Sequence, residues 1–170
     1  MLKPAQLYKD ELNKKMIEGW YDLDNMYYHG GPSSYELDFG DNNKNCHSFV
    51  SVKRRKLGLE TIDTIIGFIS YEVDWEAMSA DNFGFISFDK GNAVLVSDAV
   101  KCIRDLFIKY NMNRVAWYCY ADNPALEGYR KLVKRFGGKE VGYLRQYAKL
   151  LDGKLHDSVI FEILKSDLKQ

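Results

Sequence analysis

The sequence predicts an α+β fold, a mixed and mostly antiparallel sheet flanked by helices. Three observations predict it. Segments of period-two alternation cluster at residues 47–53, 65–73 and 82–88, as in an antiparallel meander. The apolar period then lengthens, with Val96, Ala99, Val100, Ile103, Leu106 and Phe107 recurring at helical spacing. That helix lies between the strand at 82–88 and another at 114–120, an order that makes the two strands parallel neighbours joined by a right-handed crossover. The 170 residues show no internal repeat and no low-complexity stretch, so residues 1–170 read as a single domain with a sizeable core.

Taken in order, residues 2–8 open the sheet. Residues 9–20 read as a helix with Leu12, Met16, Ile17 and Trp20 on one side, followed by a short helix holding Leu23, Met26 and Tyr27. Gly30-Gly31-Pro32-Ser33-Ser34 breaks it, and the chain from there to Cys46 is a polar loop rich in Asn and Asp. The strand at 47–53 is linked through a connector at 58–63 to a longer strand at 65–73, rich in β-forming residues. A turn at 74–81 precedes the strand at 82–88. The long helix continues to Tyr110, where Asn111-Met112-Asn113 ends it. After the strand at 114–120, Asn123 and Pro124 read as the N-cap and first position of a helix carrying Leu126, Tyr129, Leu132, Val133 and Phe136. Gly137-Gly138 stops that helix. Strands at 139–147 and 158–164 close the chain around a turn at Leu151-Asp152-Gly153-Lys154.

Composition narrows the function. Lys and Arg number 24 against 24 Asp and Glu, without the basic excess that polyanion binding demands. The run Lys53-Arg54-Arg55-Lys56 reads as a solvated hairpin end, and nucleic acid is not an expected partner. Cys46, Cys102 and Cys119 are far apart, as are His29, His47 and His156, so no metal is expected and the setting reads as reducing. Cys102 and Cys119 sit among apolar residues as small core side chains. No apolar run approaches the ~20 residues of a membrane helix, and the N-terminus lacks a signal-peptide core. A cytoplasmic protein is expected. The 12 tyrosines suit a core that borders a cleft.

The last half carries a specific pattern. Asp122-Asn123-Pro124-Ala125 is followed by Tyr129 and then by Gly137-Gly138-Lys139-Glu140-Val141-Gly142-Tyr143-Leu144-Arg145. An Asn after the fifth strand, a small residue, a Tyr one helical turn on, a Gly-rich helix end and a Gly-x-x-Arg strand resemble the end of a GNAT-superfamily N-acetyltransferase. Leu151-Asp152-Gly153-Lys154 and the segment 156–164 resemble the closing hairpin of its ribosomal-protein-acetyltransferase-like branch. The resemblance spans roughly residues 65–164. It implies splayed fourth and fifth strands, with acetyl-CoA as co-substrate and its pantetheine arm paired to the fourth strand. It further implies that the pyrophosphate sits at the start of the following helix, where free N–H groups and the dipole favour anions. Asn123 then contacts the arm besides capping a helix. Tyr129 faces the sulfur as the acid that protonates the leaving thiolate, although its apolar neighbours equally describe a core residue.

The cofactor loop departs from the family. Where two glycines are customary, Lys90-Gly91-Asn92-Ala93-Val94 places Asn92 and Val94, leaving Gly91 to act one position early and Lys90 to add a charge contact or to stay in solvent. Glycine lets backbone approach phosphate, so this loop is expected to give up affinity. Amine acetylation also needs a base. Glu72 is the first candidate if it points inward, Asp74 and Asp89 the next, and a backbone N–H near Phe88 is expected to stabilise the carbonyl oxygen. No Ser-His-Asp or Cys-His arrangement is visible, which favours direct transfer over an acyl-enzyme. The expected function is N-acetyl transfer to a primary amine, a small molecule or a protein N-terminus, with a homodimer as an open assembly. The alternative is a non-catalytic CoA-binding or interaction module. Residues 20–31 are expected to build the acceptor side, with Tyr21, Tyr27, Tyr28 and His29 as its lining.

Overall fold

The structure is a computed structural model that describes residues 1–20, 22–28, 44–58 and 60–168. Its strands are β1 (Leu2–Pro4), β2 (Cys46–Leu57), β3 (Glu60–Asp74), β4 (Ser79–Ser87), β5 (Arg114–Tyr120), β6 (Lys139–Lys149) and β7 (Leu155–Leu164). They form one sheet in the order β1-β2-β3-β4-β5-β7-β6. Helix α1 (Lys9–Trp20) precedes β2, α2 (Ala93–Ile108) links β4 to β5, and α3 (Leu126–Arg135) links β5 to β6. Short 3-10 turns occupy Ala5–Tyr8 and Leu23–Tyr28. Every strand pairing is antiparallel except β4 with β5, as the strand–helix–strand order predicts.

Two apolar clusters fix the layers. Leu12 and Met16 of α1 pack on Val50, Val52 and Ile65, with Phe68, Ile86 and Phe88 alongside. Leu95, Ala99, Ile103 and Leu106 of α2 and Tyr129, Leu132 and Val133 of α3 join Ile69, Tyr71, Phe83, Trp117 and Phe161 in the larger core. The alternation of β3 divides its side chains between these clusters, Phe68 to one and Ile69 and Tyr71 to the other. The start of α2 lies close on β3 because Gly67 has no side chain: a Cβ there would meet Leu95 Cδ1 at 2.6 Å and the Ile86 carbonyl at 2.7 Å. Ser51 of β2 ties the same helix to the sheet, donating to the buried Asp98 carboxylate at 2.7 Å.

Several boundaries differ from the sequence reading: β1 ends at Pro4 and gives way to the 3-10 turn, β4 begins at Ser79 and β7 at Leu155. The connector expected at 58–63 is strand, and β2 and β3 form a hairpin that runs to Leu57↔Glu60 with Gly58 at φ +63°. Both faces of this hairpin end are solvent-exposed, so its residues show no alternation for the eye to follow. The basic run lies here, and Arg54 forms a two-bond ion pair with Asp63 at 2.8 and 2.9 Å. Helix α2 begins at Ala93 rather than near Val96, because the Asn92 side chain caps it. Helix α3 begins at Leu126, not at Pro124. Asn123 Oδ1 accepts the Ala125 N–H at 2.8 Å and closes a turn ahead of the helix, so Ala125 takes the cap position.

Candidate functional site in the gap between β4 and β5

Strands β4 and β5 pair only at Ser79↔Arg114 and Ala80↔Val115. Arg114 secures this junction. Its guanidinium donates to Asp81 of β4 and to Glu162 of β7, both at 2.8 Å. Immediately beyond, β4 carries a bulge, where Ser70↔Gly84 and Glu72↔Asp81 leave one extra residue on β4 and Asn82 sits at φ +53°. From there β4 follows β3 and β5 follows β7, and the two part company. The gap between them is a cavity of about 310 Å³.

Its lining comes from every nearby element. β4 supplies Gly84, Phe85 and Ile86, and β5 supplies Tyr118, Cys119 and Tyr120. Asn123 and Tyr129 enter from the β5–α3 region, Tyr147 from β6, Ser158 from β7 and Tyr27 from the N-terminal turn. Tyr129 is 8% exposed and packs against Phe85, with ring centroids 5.2 Å apart, and against Trp117 and Phe161. It is thus a core residue that also lines the cleft. Cys119 is buried, and burial pushes its thiol up to about 12, which keeps it protonated and unsuited to nucleophilic attack.

Phe88 falls elsewhere than expected. Its N–H donates to the Ile66 carbonyl at 2.9 Å and is committed to the sheet, and its ring belongs to the α1 cluster beneath Lys15 Nζ. Successive amides of a strand point to opposite edges. With Phe88 N–H aimed at β3, the amides that face the open edge toward β5 are those of Phe85 and Ser87.

The loop at 89–94 is built around Asn92. Gly91 takes φ +81°, and the Asn92 N–H closes a turn onto the Asp89 carbonyl. The Asn92 carboxamide donates to the Asp89 carboxylate at 2.7 Å and accepts the Val94 N–H at 2.9 Å. One first-turn amide of α2 is therefore taken by the protein itself. Val94 is 40% exposed, so its side chain is not packed beneath the helix start. Ala93 opens the helix, and Lys90 Nζ lies 3.9 Å from Asp24 Oδ2 with both side chains in solvent.

The structure brings Tyr129 and Asn123 together in the cleft, and β4 runs from the cleft into the loop at 89–92. Glu72 is not brought there. It is exposed, accepts from Asn82 Nδ2 at 3.2 Å and lines a separate acidic hollow with Asp74, Glu76 and Asp81. The reason is distance along β3: Phe68 and Ser70 share its strand face and reach the cleft, while Glu72 lies beyond the bulge. Asp74 caps the following turn through the Glu76 and Ala77 amides. On the acceptor side Tyr27 lines the cavity, whereas Tyr21, His29 and the side chain of Tyr28 lie outside the described residues.

Sequence reasoning missed the tyrosine wall and a clamp beside it. Tyr118 and Tyr147 stack in parallel, with centroids 5.8 Å apart and planes at 5°, and Tyr120 lies next to them. Behind Tyr120 and Tyr27, the buried His156 ring places Nδ1 2.7 Å from Asp122 and Nε2 3.0 Å from Asp152. A carboxylate at each nitrogen fits an imidazolium donating twice. The Asp152 carboxylate, joined by Asp122 and opposed by burial, raises the His156 pKa above its ordinary value. The signal for the wall was the tyrosine surplus itself. The signal for the clamp was the Asp152…His156 spacing across the turn.

An open parallel strand pair with a cleft between them, in a mixed seven-stranded sheet, is the GNAT acetyltransferase fold, and this chain adopts it. No protein-family model matches the sequence, and no curated protein matches it. Solved structures do. A spermidine N-acetyltransferase from Vibrio cholerae, in complex with CoA and spermine, superposes with a TM-score of 0.73 at 18% identity, covering 98% of this chain and 96% of that one. A dodecameric structure of spermidine N-acetyltransferase from the same organism gives 0.69 at 16% identity, over 98% and 94%. A structure described as a probable acetyltransferase gives 0.70 at 18%, over 98% and 93%. These similarities reach the fold of the superfamily and do not support the ribosomal-protein branch.

Proposed function

We propose that this chain transfers an acetyl group from acetyl-CoA directly to a primary amine. The observation that carries this reading is the parting of β4 from β5 around a tyrosine-lined cavity that contains Tyr129. When bound, acetyl-CoA supplies an activated acetyl thioester. The residues present fit it. The open edge of β4 offers the Phe85 and Ser87 amides to an extended, amide-bearing arm, as an added strand would find them. Asn123 faces the arm from the other side of the cleft. The first turn of α2, with its dipole, Gly91 and Lys90, offers the place for phosphates, one amide short because of Asn92.

Tyr129 holds a neutral phenol at the cleft and is the group that returns a proton to a leaving thiolate. The Phe85 amide beside it is placed to polarise a carbonyl oxygen. The rings of Tyr27, Tyr118, Tyr120 and Tyr147 exclude water and present faces that attract a cationic amine. The described lining of the cleft holds no carboxylate, so the amine sheds its proton to solvent at the mouth rather than to Glu72. The acceptor is a small amine or a protein N-terminus. The spermine-bound structure of a protein with this fold puts polyamines first on the panel to be tried.

The experiment has two arms. Acetyl-CoA is expected to raise the melting temperature by binding only the native state, and labelled acetyl is expected to pass to at least one member of a panel of polyamines, small amines and peptide N-termini. Tyr129→Phe is expected to lower turnover at neutral pH about tenfold or more, with acetyl-CoA affinity little changed. Absence of a thermal shift at millimolar acetyl-CoA would sink the reading. Binding without transfer across the panel would return the chain to a non-catalytic module.

A further inference from the structure

Strand β6 is irregular where it faces the cleft. Leu144 pairs with Ser158 and Ala148 with His156, so four steps on β6 span two on β7. The surplus bulges out at residues 145–147, and Gln146 is driven to φ +51°. A non-glycine residue there is strained and persists only when its surroundings hold it. Asp157 does the holding. One carboxylate oxygen accepts the Gln146 N–H at 2.6 Å and the other accepts the Tyr143 O–H at 2.7 Å.

The bulge has a consequence for the cleft. In the sheet order, β7 lies between β5 and β6, so Tyr118 and Tyr147 spring from strands about 10 Å apart. Their rings nevertheless stack at 5.8 Å across that intervening strand, whose Ser158 lines the same cavity. Tyr147 must lean across β7 to reach Tyr118, and a strand displaced outward at 145–147 provides that approach. The wall so formed stands opposite the open edge of β4.

We infer that Asp157 is a positioning residue that sets the acceptor wall of the cleft by holding the β6 bulge and, through it, Tyr147. The inference rests on the acetyl-transfer reading above. Asp157 is not among the described residues that line the cavity and acts through Gln146 and Tyr143.

The test compares Asp157→Asn, Tyr143→Phe and Tyr147→Ala with the wild-type protein, using spermidine as acceptor probe. Asp157→Asn and Tyr147→Ala are expected to raise the spermidine KM to a similar extent, about tenfold on the scale of a lost aromatic contact. The turnover number of Asp157→Asn is expected to stay within about twofold of the wild-type value, and acetyl-CoA affinity likewise in both variants. The double variant should be no worse than either single one, as for residues that act as a unit. Tyr143→Phe, which removes one hydroxyl and keeps the fold, should show a smaller shift in the same direction. Near-ultraviolet circular dichroism of the unliganded protein should lose the same tyrosine signal in Asp157→Asn as in Tyr147→Ala. An Asp157→Asn variant that melts earlier yet keeps the wild-type KM and dichroism would overturn the inference. No acetyl transfer by the wild-type protein to spermidine or to any other amine of the panel would overturn the acceptor role and the parent reading, and the dichroism comparison would still decide whether Asp157 places Tyr147.

Discussion

His156 shows how one buried side chain can make the cleft sensitive to pH. Its ring joins Asp122, beside the cleft residue Asn123, to Asp152 in the β6–β7 turn. The folded pKa is raised, so protons bind the folded state more tightly than the unfolded one. The contribution of the clamp is fully present below the unfolded value near 6.5 and is lost as pH rises through the folded value. Asp152 is shifted the other way, chiefly by its bond from His156, so its share is present above its ordinary value and lost in acid. The melting temperature is expected to fall as pH climbs above about 6.5, and His156→Gln is expected to flatten that slope. A wild-type slope retained in the variant would assign the titration elsewhere. In sequence only the Asp152…His156 spacing across one turn hinted at this clamp, because Asp122 comes from a different turn.

At the scale of elements, the start of α2 sets which backbone amides the proposed acetyl-CoA site would have. Asn92 stabilises the helix as a cap, worth ~1 kcal/mol, and does so by consuming the Val94 N–H. Val94 stands half in solvent, so removing it forfeits little packing, although glycine in a helix costs up to ~1 kcal/mol. Val94→Gly is therefore expected to tighten acetyl-CoA binding several-fold, about 1 kcal/mol or less in free energy, while slightly lowering the melting temperature. Equal or weaker binding by titration calorimetry would show that the Cβ is no obstacle. The residues of this loop were legible as atypical. Their hydrogen bonds were not, because a carboxamide reads alike as ligand contact and as cap.

For the whole molecule, the cleft exists because the sheet is pinned at one end and free at the other. Arg114 supplies the pin through Asp81 and Glu162, a half-buried network in which the bonds to Glu162 and then Asp81 raise the guanidinium pKa. Arg114→Met is expected to lower unfolding free energy by about 1–3 kcal/mol, between the values of exposed and buried pairs. It should also weaken acetyl-CoA binding, because the register of β4 against β5 is lost with it. Denaturant titration with and without acetyl-CoA checks both effects, and a variant as stable as the wild type would remove Arg114 from this role.

The sequence by itself determined the element order, the parallel neighbours around the long helix, the strand at 114–120 and the tyrosine and asparagine that enter the cleft. The elements follow from local periodicity and short spacings, which a chain carries wherever it goes, whereas the cleft positions of the tyrosine and asparagine were what the family resemblance implied. Only the tertiary structure decided that Glu72 lies outside the cleft, that the Phe88 amide is committed to Ile66 and that Tyr118 meets Tyr147 across an intervening strand. Each of these depends on a bulge or on strand register. A single inserted residue shifts which groups face one another, and neither bulge leaves a mark in composition or period.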